Sequence, residues 1–255
     1  MSYTSESRRE EIVELVQLNG KVKVSELSER YKISEVSIRK DLEVLEAQGH
    51  LSRIHGGAVG MNKLYVNMDL TERYKTNSAA KKAVAELAAR FIEDNDTIMM
   101  NAGTTLVYVL RALRGKKNIN IVTNSIQNAT EAALYPSFNV ILLGGDVDSK
   151  NQFTYGQDAI DQLLNYHATK CILSVDGISC ESGLTSYFSN AAELARKMIE
   201  CSDTLIVAAD SSKIGKNVFA RITDINKANI IVTNKTDNHA EMAKLREIQI
   251  DIYEA

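Results

Sequence analysis

The sequence predicts an α/β protein in two parts, an N-terminal winged helix-turn-helix and a larger C-terminal α/β domain with a mostly parallel sheet. Residues 1–58 read as three short helices followed by a strand and a glycine turn. From residue 79 onward, short apolar segments alternate with helical ones, which is typical of a parallel sheet covered on both faces. The length of 255 residues suits two domains of unequal size. We therefore predict domains over residues 1–58 and 79–255, joined by a linker over residues 59–78.

Composition excludes several classes of protein. Hydrophobic residues make up 44% of the chain and charged residues 25%, which is ordinary for a soluble globular protein. No apolar run approaches the roughly 18 residues that cross a bilayer, and the charged N-terminus lacks the apolar core of a signal peptide. The 3 cysteines form no CxxC pair, so we expect reduced thiols, with metal binding as the less favoured alternative. The sequence thus predicts a cytoplasmic protein without a membrane segment, a metal or a nucleotide cofactor, since it also has no Walker A or G-x-G-x-x-G string.

The first three helices are defined by their apolar periodicity and their capping residues. Residues 6–18 show an amphipathic pattern that an Asn-Gly pair ends. Ser25 is the predicted N-cap of a second helix over residues 26–31, and Ser34 is the predicted N-cap of a third helix that runs to about residue 48. This order of short helices is that of a helix-turn-helix.

The third helix has an apolar back and a polar front. At about 100° per residue, Ile38, Leu42 and Leu45 fall together and must face the other helices, which leaves the opposite side for the major groove. Asp41 lies beside the apolar stripe and is predicted to pair with a nearby cation. Residues 51–54 alternate like a strand before a His-Gly-Gly turn, which predicts the wing. The predicted DNA contacts are Ser34, Val36, Ser37, Arg39, Lys40, Arg53 and His55.

Net charge argues mildly against a nucleic-acid partner. The chain carries a formal charge of −3, and its first 60 residues hold nine Lys/Arg against ten Asp/Glu. The DNA-binding prediction therefore depends on where the cations lie, and on charge alone a small helical bundle with a solvated Arg39-Lys40 face is the favoured alternative.

A longer sequence motif favours the DNA-binding interpretation over the helical bundle. It closely resembles the DeoR family of bacterial regulators, whose pattern is roughly I-R-[RK]-D-L, then L-E, then G, R and H-G-G-A. The resemblance implies that double-stranded operator DNA is a partner. The matching residues are Ile38-Arg39-Lys40-Asp41-Leu42, Leu45-Glu46, and Gly49-His50-Leu51-Ser52-Arg53-Ile54-His55-Gly56-Gly57-Ala58.

The linker has no clean periodicity beyond partial helix near residues 70–74. Arg73, Asn77 and Lys81 stand where DeoR-like regulators carry similar residues. Three roles are open for them: ligand binding, contact with another subunit, and capping of the next helix, which is predicted over residues 81–92. Taken alone, each is more simply interpreted as an ordinary solvated polar residue of a linker.

Six short apolar segments in the C-terminal part predict strands, and small, polar or ionic residues follow each of them. The carboxyl ends of parallel strands lie at one edge of a sheet, where ligands bind. The predicted strands span residues 97–100, 119–123, 140–143, 171–175, 205–209 and 230–233. The predicted effector-binding residues that follow them are Asn101, Gly103, Thr104, Thr105, Asn124, Ser125, Gly144, Gly145, Asp176, Gly177, Asp210 and Lys213.

The chemistry of these residues suits a phosphorylated polyol. Gly103 and the two threonines after it open a helix, and amides at a helix N-terminus bind phosphate, although threonine also caps helices without any ligand. Lys213 supplies positive charge, unless it is an ordinary solvated lysine. Asp176 can accept hydrogen bonds from sugar hydroxyls, unless it only forms a turn with Gly177.

The C-terminal pattern also resembles the DeoR-type sensor domain, so the likeness covers nearly the whole chain. Such domains look like ribose-5-phosphate isomerases and CoA transferases in fold, which implies recognition of phosphorylated sugars or close derivatives. Asn101 stands where many relatives have aspartate, a departure that lowers the local negative charge. The matching pieces are Gly103-Thr104-Thr105, Thr123-Asn124-Ser125, Gly144-Gly145, Asp176-Gly177-Ile178, Gly183-Leu184-Thr185, Glu193 and Asp210-Ser211-Ser212-Lys213-Ile214-Gly215.

An enzyme and a regulator are the two competing interpretations. Asp176-Gly177 resembles the isomerase loop, but Ile178-Ser179 lacks the second acid, and no acid–base pair can be assigned. We predict a non-enzymatic repressor of a carbohydrate-utilisation operon, although an activator or a co-repressor arrangement fits the residues equally well. The alternative is an isomerase-like or transferase-like enzyme with an appended DNA-binding domain. Because one winged helix covers few base pairs, we expect a homodimer or homotetramer.

Overall fold

The computed structural model describes residues 4–19, 21–47, 50–54, 56–60 and 68–255, with only the backbone described for residues 17–19, 21, 47, 52, 59 and 60. The chain divides into two compact units, Met1–Met68 (unit 1) and Asp69–Ala255 (unit 2). A winged helix-turn-helix forms unit 1 and an α/β fold with a parallel sheet forms unit 2, which confirms the predicted fold class. None of the described helices is long and apolar enough to cross a membrane.

The described residues of unit 1 form three helices and a three-stranded sheet. The strands pair antiparallel in the order β1-β3-β2. The predicted apolar back of the third helix is buried at Ile38, Leu42 and Leu45, where it packs against the other helices. The elements are α1 Ser5–Asn19, β1 Lys21–Lys23, α2 Val24–Tyr31, α3 Glu35–Ala47, β2 Leu51–Ile54 and β3 Gly57–Gly60.

The two predicted N-caps have different outcomes. Ser34 Oγ accepts a hydrogen bond from the Ser37 amide at 3.2 Å, which confirms the cap of α3. The prediction for Ser25 is wrong: α2 already begins at Val24, with Lys23 at the N-cap position and no side-chain cap, because the chain passes directly from β1 into the helix. The predicted end of α3, at about residue 48, and the predicted contact His55 lie outside the described residues.

A seven-stranded parallel sheet organises unit 2. The strand order is β15-β14-β12-β9-β4-β5-β6, and every neighbouring pair is parallel. Its strands are β4 Thr97–Met100, β5 Ile119–Thr123, β6 Phe138–Leu142, β9 Ala168–Leu173, β12 Ser202–Ala208, β14 Ile230–Thr233 and β15 Asp251–Glu254. The helices are α4 Leu70–Lys75, α5 Ser78–Ala88, α6 Thr104–Ala112, α7 Ile126–Ala132, α8 Gln157–Leu163, α9 Ser189–Glu200 and α10 His239–Glu247.

The direction of winding reverses at the centre of this sheet. The chain runs from β4 outward through β5 and β6, then returns to β9 on the other side of β4 and continues through β12, β14 and β15. The topological switch point therefore lies between the carboxyl ends of β4 and β9, the position at which open α/β sheets bind their ligands.

Several elements of unit 2 differ from the prediction. The helix predicted over residues 81–92 is α5, which starts at Ser78 and continues into the 3-10 turn Ala89–Phe91. The sequence pattern did not indicate β15 or two small antiparallel sheets, because their strands are only three or four residues long and none is a continuous apolar run. These sheets pair β7 Asp146–Asp148 with β8 Phe153–Tyr155, and β10 Gly177–Ser179 with β11 Gly183–Ser186 and β13 Ala220–Thr223.

Candidate functional site

The outward side of α3 is exposed, as the helical pattern predicts. Val36 is 60% exposed, and Arg39 and Lys40 are exposed too. Arg39 Nη2 lies 2.5 Å from Glu35 Oε2 on the same helix, and exposed pairs of this kind are weak enough for a DNA phosphate to displace the carboxylate. Lys40 forms no ion pair with any residue that the structure describes. The surface therefore offers two cations to a duplex.

Arg53 on the wing is held by acidic residues of α3. Its Nε lies 2.8 Å from Glu46 Oε2, its amide donates to Glu46 Oε1 at 2.7 Å, and its Nη1 lies 3.3 Å from Glu43 Oε1. Hydrogen bonds from the Arg53 amide and guanidinium lower the pKa of the Glu46 carboxyl. Arg53 thus joins the wing to α3. To make its predicted contact with DNA, its guanidinium would have to bind the DNA as well as Glu43 and Glu46.

Asp41 is the structural partner that the helical wheel predicts. It is only 2% exposed, and its two carboxylate oxygens accept hydrogen bonds from Arg8 Nε at 2.7 Å and Arg9 Nε at 2.8 Å. These bonds clamp α1 to α3 behind the exposed surface, and so hold α3 in the position from which it presents Arg39 and Lys40.

At the switch point of unit 2, the chain between β4 and α6 passes very close to β9. A Cβ on Gly103 would lie 2.5 Å from Ser174 Cβ, so no larger residue fits without a shift. Gly103 occupies the N-cap position of α6 and has no side chain to bond the first helical amides. Thr104 and Thr105 follow it and are buried. The predicted phosphate-binding turn therefore lies at the switch point, packed closely against the end of β9.

Asn101 joins the ends of β4 and β9. Its Nδ2 donates to the Ser174 carbonyl and its Oδ1 accepts from the Ser174 amide, both at 2.9 Å. An ionised aspartate could not donate the first of these bonds. Asn101 thus serves to join the two strands, and both its amide nitrogen and its amide oxygen already form hydrogen bonds.

Two other asparagines, one directly after β5 and one in α7, carry buried side-chain oxygens. Asn124 Nδ2 donates to the Thr154 carbonyl at 2.8 Å, and Asn128 Nδ2 donates to the Asn101 carbonyl at 2.9 Å. These bonds fix both amides, and neither Oδ1 has a hydrogen-bond partner in the described part of the chain. Ser125 caps α7 by accepting from the Asn128 amide at 3.2 Å. The two Oδ1 atoms are acceptors of the kind that hydroxyl groups satisfy.

The glycines after β6 shape a turn. Gly145 has φ +119°, and a Cβ there would lie 2.4 Å from the Tyr155 carbonyl oxygen. The Gly144 amide donates to Gln162 Oε1 of α8 at 2.9 Å. Both residues lie at the carboxyl edge of the sheet, but β6 is its outermost strand, two strands away from β4.

Lys213 and Lys216 in the loop after β12, Lys81 in the first turn of α5 and Arg73 of α4 form a cluster of cations. Asp210 and Lys213 are both buried, and Asn77 Nδ2 donates to Asp210 Oδ1 at 2.9 Å. Burial alone would raise the pKa of Asp210, but Lys213, the Ser212 amide, Lys81 and Asn77 outweigh it, and the pKa is lowered. Asp210 is therefore a charged anion inside a cluster of cations.

Two lysines of this cluster have strongly lowered pKa values. Burial, reinforced by the neighbouring charges of Lys213 and Arg73, lowers the pKa of Lys81 to about 8 in spite of Asp210. Burial and Lys213 likewise lower the pKa of Lys216 to about 8, against Asp210 and Asp176. An anion that binds beside these lysines would therefore stabilise their protonated form.

Asp176 and Gly177 connect this cluster to β9. Asp176 Oδ2 accepts from Ser186 Oγ at 3.2 Å and from the Tyr187 amide at 3.1 Å, so it is bound to the turn after β11. A Cβ on Gly177 would lie 2.5 Å from the Lys216 carbonyl oxygen. Asp176 lies near enough to Lys216 to interact with it electrostatically, but part of its hydrogen-bonding capacity is used within the protein.

The sequence prediction missed Lys216 and Asn128 and gave no role to Arg73, Asn77 and Lys81. Lys216 lies three residues after Lys213 in the same strand-end loop, and this spacing was the available signal. Arg73, Asn77 and Lys81 reach the cluster only through the fold; Asn77 and Asp210, for example, are 133 positions apart. No group of three or more potential metal-ligating residues occurs among the described residues.

Comparison with known proteins gives matches to both units. The family model of the DeoR-like helix-turn-helix domain matches residues 8–63, and that of the DeoR C terminal sensor domain matches residues 76–235. An uncharacterized HTH-type transcriptional regulator, YulB, from Bacillus subtilis (strain 168) is 34% identical over 245 residues, which cover 96% of this chain and 95% of that protein. A putative aga operon transcriptional repressor from Escherichia coli O157:H7 is 30% identical over 251 residues, covering 98% and 93%.

Solved structures give weaker matches. Ribose 5-phosphate isomerase from Plasmodium falciparum has a TM-score of 0.39 and 21% identity, and covers 52% of this chain and 51% of its own. The isomerase A from Neisseria gonorrhoeae has a TM-score of 0.40 and 20% identity, covering 56% and 54%. Scores at this level support no inference about chemistry.

Proposed function

The chain belongs to the DeoR family of transcriptional regulators, and from this premise we propose that it represses a carbohydrate-utilisation operon until a phosphorylated sugar or related metabolite binds. Relatives that match over nearly the whole chain are named as transcriptional regulators and repressors, so the chain is a regulator and not an enzyme. The operon, the effector and a cytoplasmic location are parts of the proposal.

The exposed front of α3 supports the DNA-binding half. Arg39 and Lys40 project from a helix whose back is packed, and a helix presented in this way fits the major groove. We propose that Ser34, Val36 and Ser37 accompany them at the duplex. Since one such unit reads few base pairs, the active species in this proposal is a homodimer or homotetramer on repeated half-sites.

The cation cluster at the strand ends is the observation that carries the effector half. Lys213 and Lys216 follow β12, next to β9 and the switch point, and Gly103 lets the chain approach closely on the other side. A phosphate monoester carries a charge of about −1.5 to −2 at neutral pH and would satisfy these lysines. The buried acceptors on Asn124 and Asn128, which have no partner among the described residues, suit hydroxyl groups, so the preferred ligand class is a phosphorylated polyol.

The test is to measure operator binding in the presence of candidate effectors. An operator selected from random duplex DNA would be titrated with the full chain by fluorescence anisotropy, with and without a panel of pentose and hexose phosphates. We expect at least one to raise the Kd about 5- to 150-fold, while its unphosphorylated counterpart does not. Inorganic phosphate at the same ionic strength is the control, because DNA binding itself weakens with salt. An unchanged Kd across the panel would refute the effector half.

Removing either exposed cation of α3 should weaken DNA binding without unfolding unit 1. Arg39→Ala or Lys40→Ala is expected to cost about 1–3 kcal/mol of operator binding, because each loses a base or phosphate contact. The Tm should stay within experimental error, since both side chains are exposed. Lys117→Ala, which removes an exposed lysine of unit 2, is the charge-matched control. Normal operator affinity in both α3 variants would exclude this helix as the DNA-binding element.

Effector affinity should fall as the pH rises above 8. An anion favours protonated Lys81 and Lys216 and so raises pKa values that are about 8 in the free protein. Binding then takes up protons, and affinity is lost as the pH passes through the free-state pKa. Between pH 7 and 9 we expect the Kd to rise about tenfold for each lysine that contacts the anion. Calorimetric titration at constant ionic strength measures this, Lys216→Met should reduce the slope, and equal Kd values at pH 7 and 9 would contradict it.

A further inference from the structure

The parallel sheet of unit 2 ends in two edge strands of different character. One is β15, which begins with Asp251 and ends with Glu254, and the other is β6, which contains no charged residue and no proline. Proteins usually protect an exposed edge with charge, proline or a bulge, because its backbone groups can pair with another chain. Acidic residues protect β15 in this way. The pairing of β6 with β5 is regular, so β6 has none of these protections.

Backbone groups of β6 are directed away from the sheet. The Leu143 amide, directly after β6, donates to the Thr123 carbonyl of β5 at 2.9 Å. Since the backbone of a strand points to alternate sides, the amides and carbonyls of Val140 and Leu142 point away from β5. No strand in the described part of the chain pairs with that side. One more strand would satisfy these groups.

Exposed apolar side chains extend this edge beyond the backbone. Leu142 is 43% exposed at the end of β6, and Leu134, in the turn between α7 and β6, is 69% exposed. Phe138 and Val140 pack on the same side of the sheet as Ala132 of α7. Leu142 alternates along the strand in step with them, so it faces that side too. Burial of the two leucines would favour association.

We infer that β6 pairs antiparallel with β6 of a second copy of this chain, about a two-fold axis at Val140, and so joins two sheets of unit 2 into one. The inference deepens the proposed function, which places two copies on repeated half-sites, by naming the surface that joins them. Such an interface is isologous, because each copy contributes the same surface.

The distribution of charge favours this strand as its own partner. With the axis at Val140, Phe138 lies opposite Leu142 of the second copy and Asn139 lies opposite Ile141, so no charges meet. The same arrangement in β15 would place its two acidic residues opposite each other, and like charges in that position are destabilising. The uncharged edge is therefore the one that can pair with itself.

The free backbone groups of β6 also fit this register. The Val140 amide of each copy would donate to the Val140 carbonyl of the other, and the Leu142 amide would donate to the Phe138 carbonyl. The Phe138 amide is not needed, since it already donates to the Tyr135 carbonyl at 3.0 Å. Because antiparallel pairing brings the start of one strand beside the end of the other, Leu134 of one copy would approach Leu142 of the second copy.

Sedimentation equilibrium of the full chain without DNA tests the interface. The wild type should associate, and Leu142→Lys should raise the dissociation constant about 30-fold or more, because it places a cation in an apolar contact. Leu142→Pro removes an outward amide and keeps the pairing with β5, so it should act similarly. Tyr253→Lys, at a comparably exposed position of β15, is the matched control and should associate like the wild type. Circular dichroism verifies that each variant is folded.

Hydrogen exchange resolved to single amides identifies what covers β6. In the associated wild type, the Val140 amide should be protected, and it should lose this protection on dilution and in Leu142→Lys. The Asp251 amide of β15 donates to the Asn229 carbonyl, so the Ile252 amide points away from the sheet. The Ile252 amide should exchange at the same rate at every concentration.

Two kinds of result would overturn the inference. One is a wild type that stays monomeric, or wild-type association in both Leu142→Lys and Leu142→Pro. The other is protection of the Val140 amide that does not depend on concentration, because another segment of the same chain would then cover β6. An associated wild type that binds no operator would instead defeat the DNA-binding half of the proposed function and leave this interface in place.

Discussion

Lys213→Gln is expected to abolish the response of operator binding to phosphorylated sugars and also to destabilise unit 2. Lys213 is buried beside Asp210, whose pKa would rise through burial but is held low chiefly by Lys213. Removing one partner of a buried charge pair typically costs about 3–5 kcal/mol, because the other charge stays buried. Urea denaturation should therefore show a large loss of stability, together with an operator Kd that phosphorylated sugars no longer change.

A paired variant separates the two effects. Asp210→Asn with Lys213→Gln removes both charges, while the asparagine oxygen can still accept from Asn77 and from the Ser212 amide. We expect it to recover most of the lost stability and to stay unresponsive to sugar phosphates. Lys117→Gln is the control for loss of one positive charge. A normal response in the paired variant would exclude Lys213 from the effector site.

Asp41→Ala should unfold much of unit 1. The substitution leaves Arg8 and Arg9 without the carboxylate that binds both, and the Arg8 side chain is 11% exposed. The expected loss is about 3 kcal/mol, a large fraction of the stability of so small a unit. Operator binding should fall because α3 is no longer held in place, and not because a DNA contact is removed.

Amide exchange in α1 and α3 measures this loss separately from unit 2. A cost of about 3 kcal/mol corresponds to exchange that is faster by roughly two orders of magnitude in the best protected amides. Glu35→Ala is the matched control, because it breaks an exposed pair on the same helix and should leave exchange nearly unchanged. Wild-type protection in Asp41→Ala would show that the two arginine bonds do not stabilise unit 1.

Burial explains which parts of the fold were predictable. Ile38, Leu42 and Leu45 recur at helical spacing because one side of α3 is packed, and the central strands are continuously apolar because helices cover both faces of the sheet. The same reasoning fails at β15, an edge strand with the sequence Asp-Ile-Tyr-Glu, and at β7, which reads Asp-Val-Asp. Such strands are defined by pairing with a distant partner, which local composition does not reveal.

The sequence predicted only those residues of the candidate site that lie at the ends of strands. Gly103, Asp210 and Lys213 follow strands that meet at the carboxyl edge, so the topology brings them together. Asn101 follows such a strand too, but the structure uses its side chain to join β4 to β9. For Arg73 the family resemblance was the only signal, because its place beside the cluster depends on how the segment before α5 folds across the sheet. Their roles in ligand binding stay predictions.

Reciprocal coupling tests the central claim, that a phosphorylated ligand at the strand ends of unit 2 controls DNA binding by unit 1. The sugar phosphate that weakens operator binding most would be titrated calorimetrically into the free chain and into the chain saturated with operator. Linkage requires the Kd for the ligand to rise on the DNA complex by the same factor by which the ligand raises the Kd for the operator. Equal ligand Kd values with and without operator would show that the two sites are independent, and would contradict the claim.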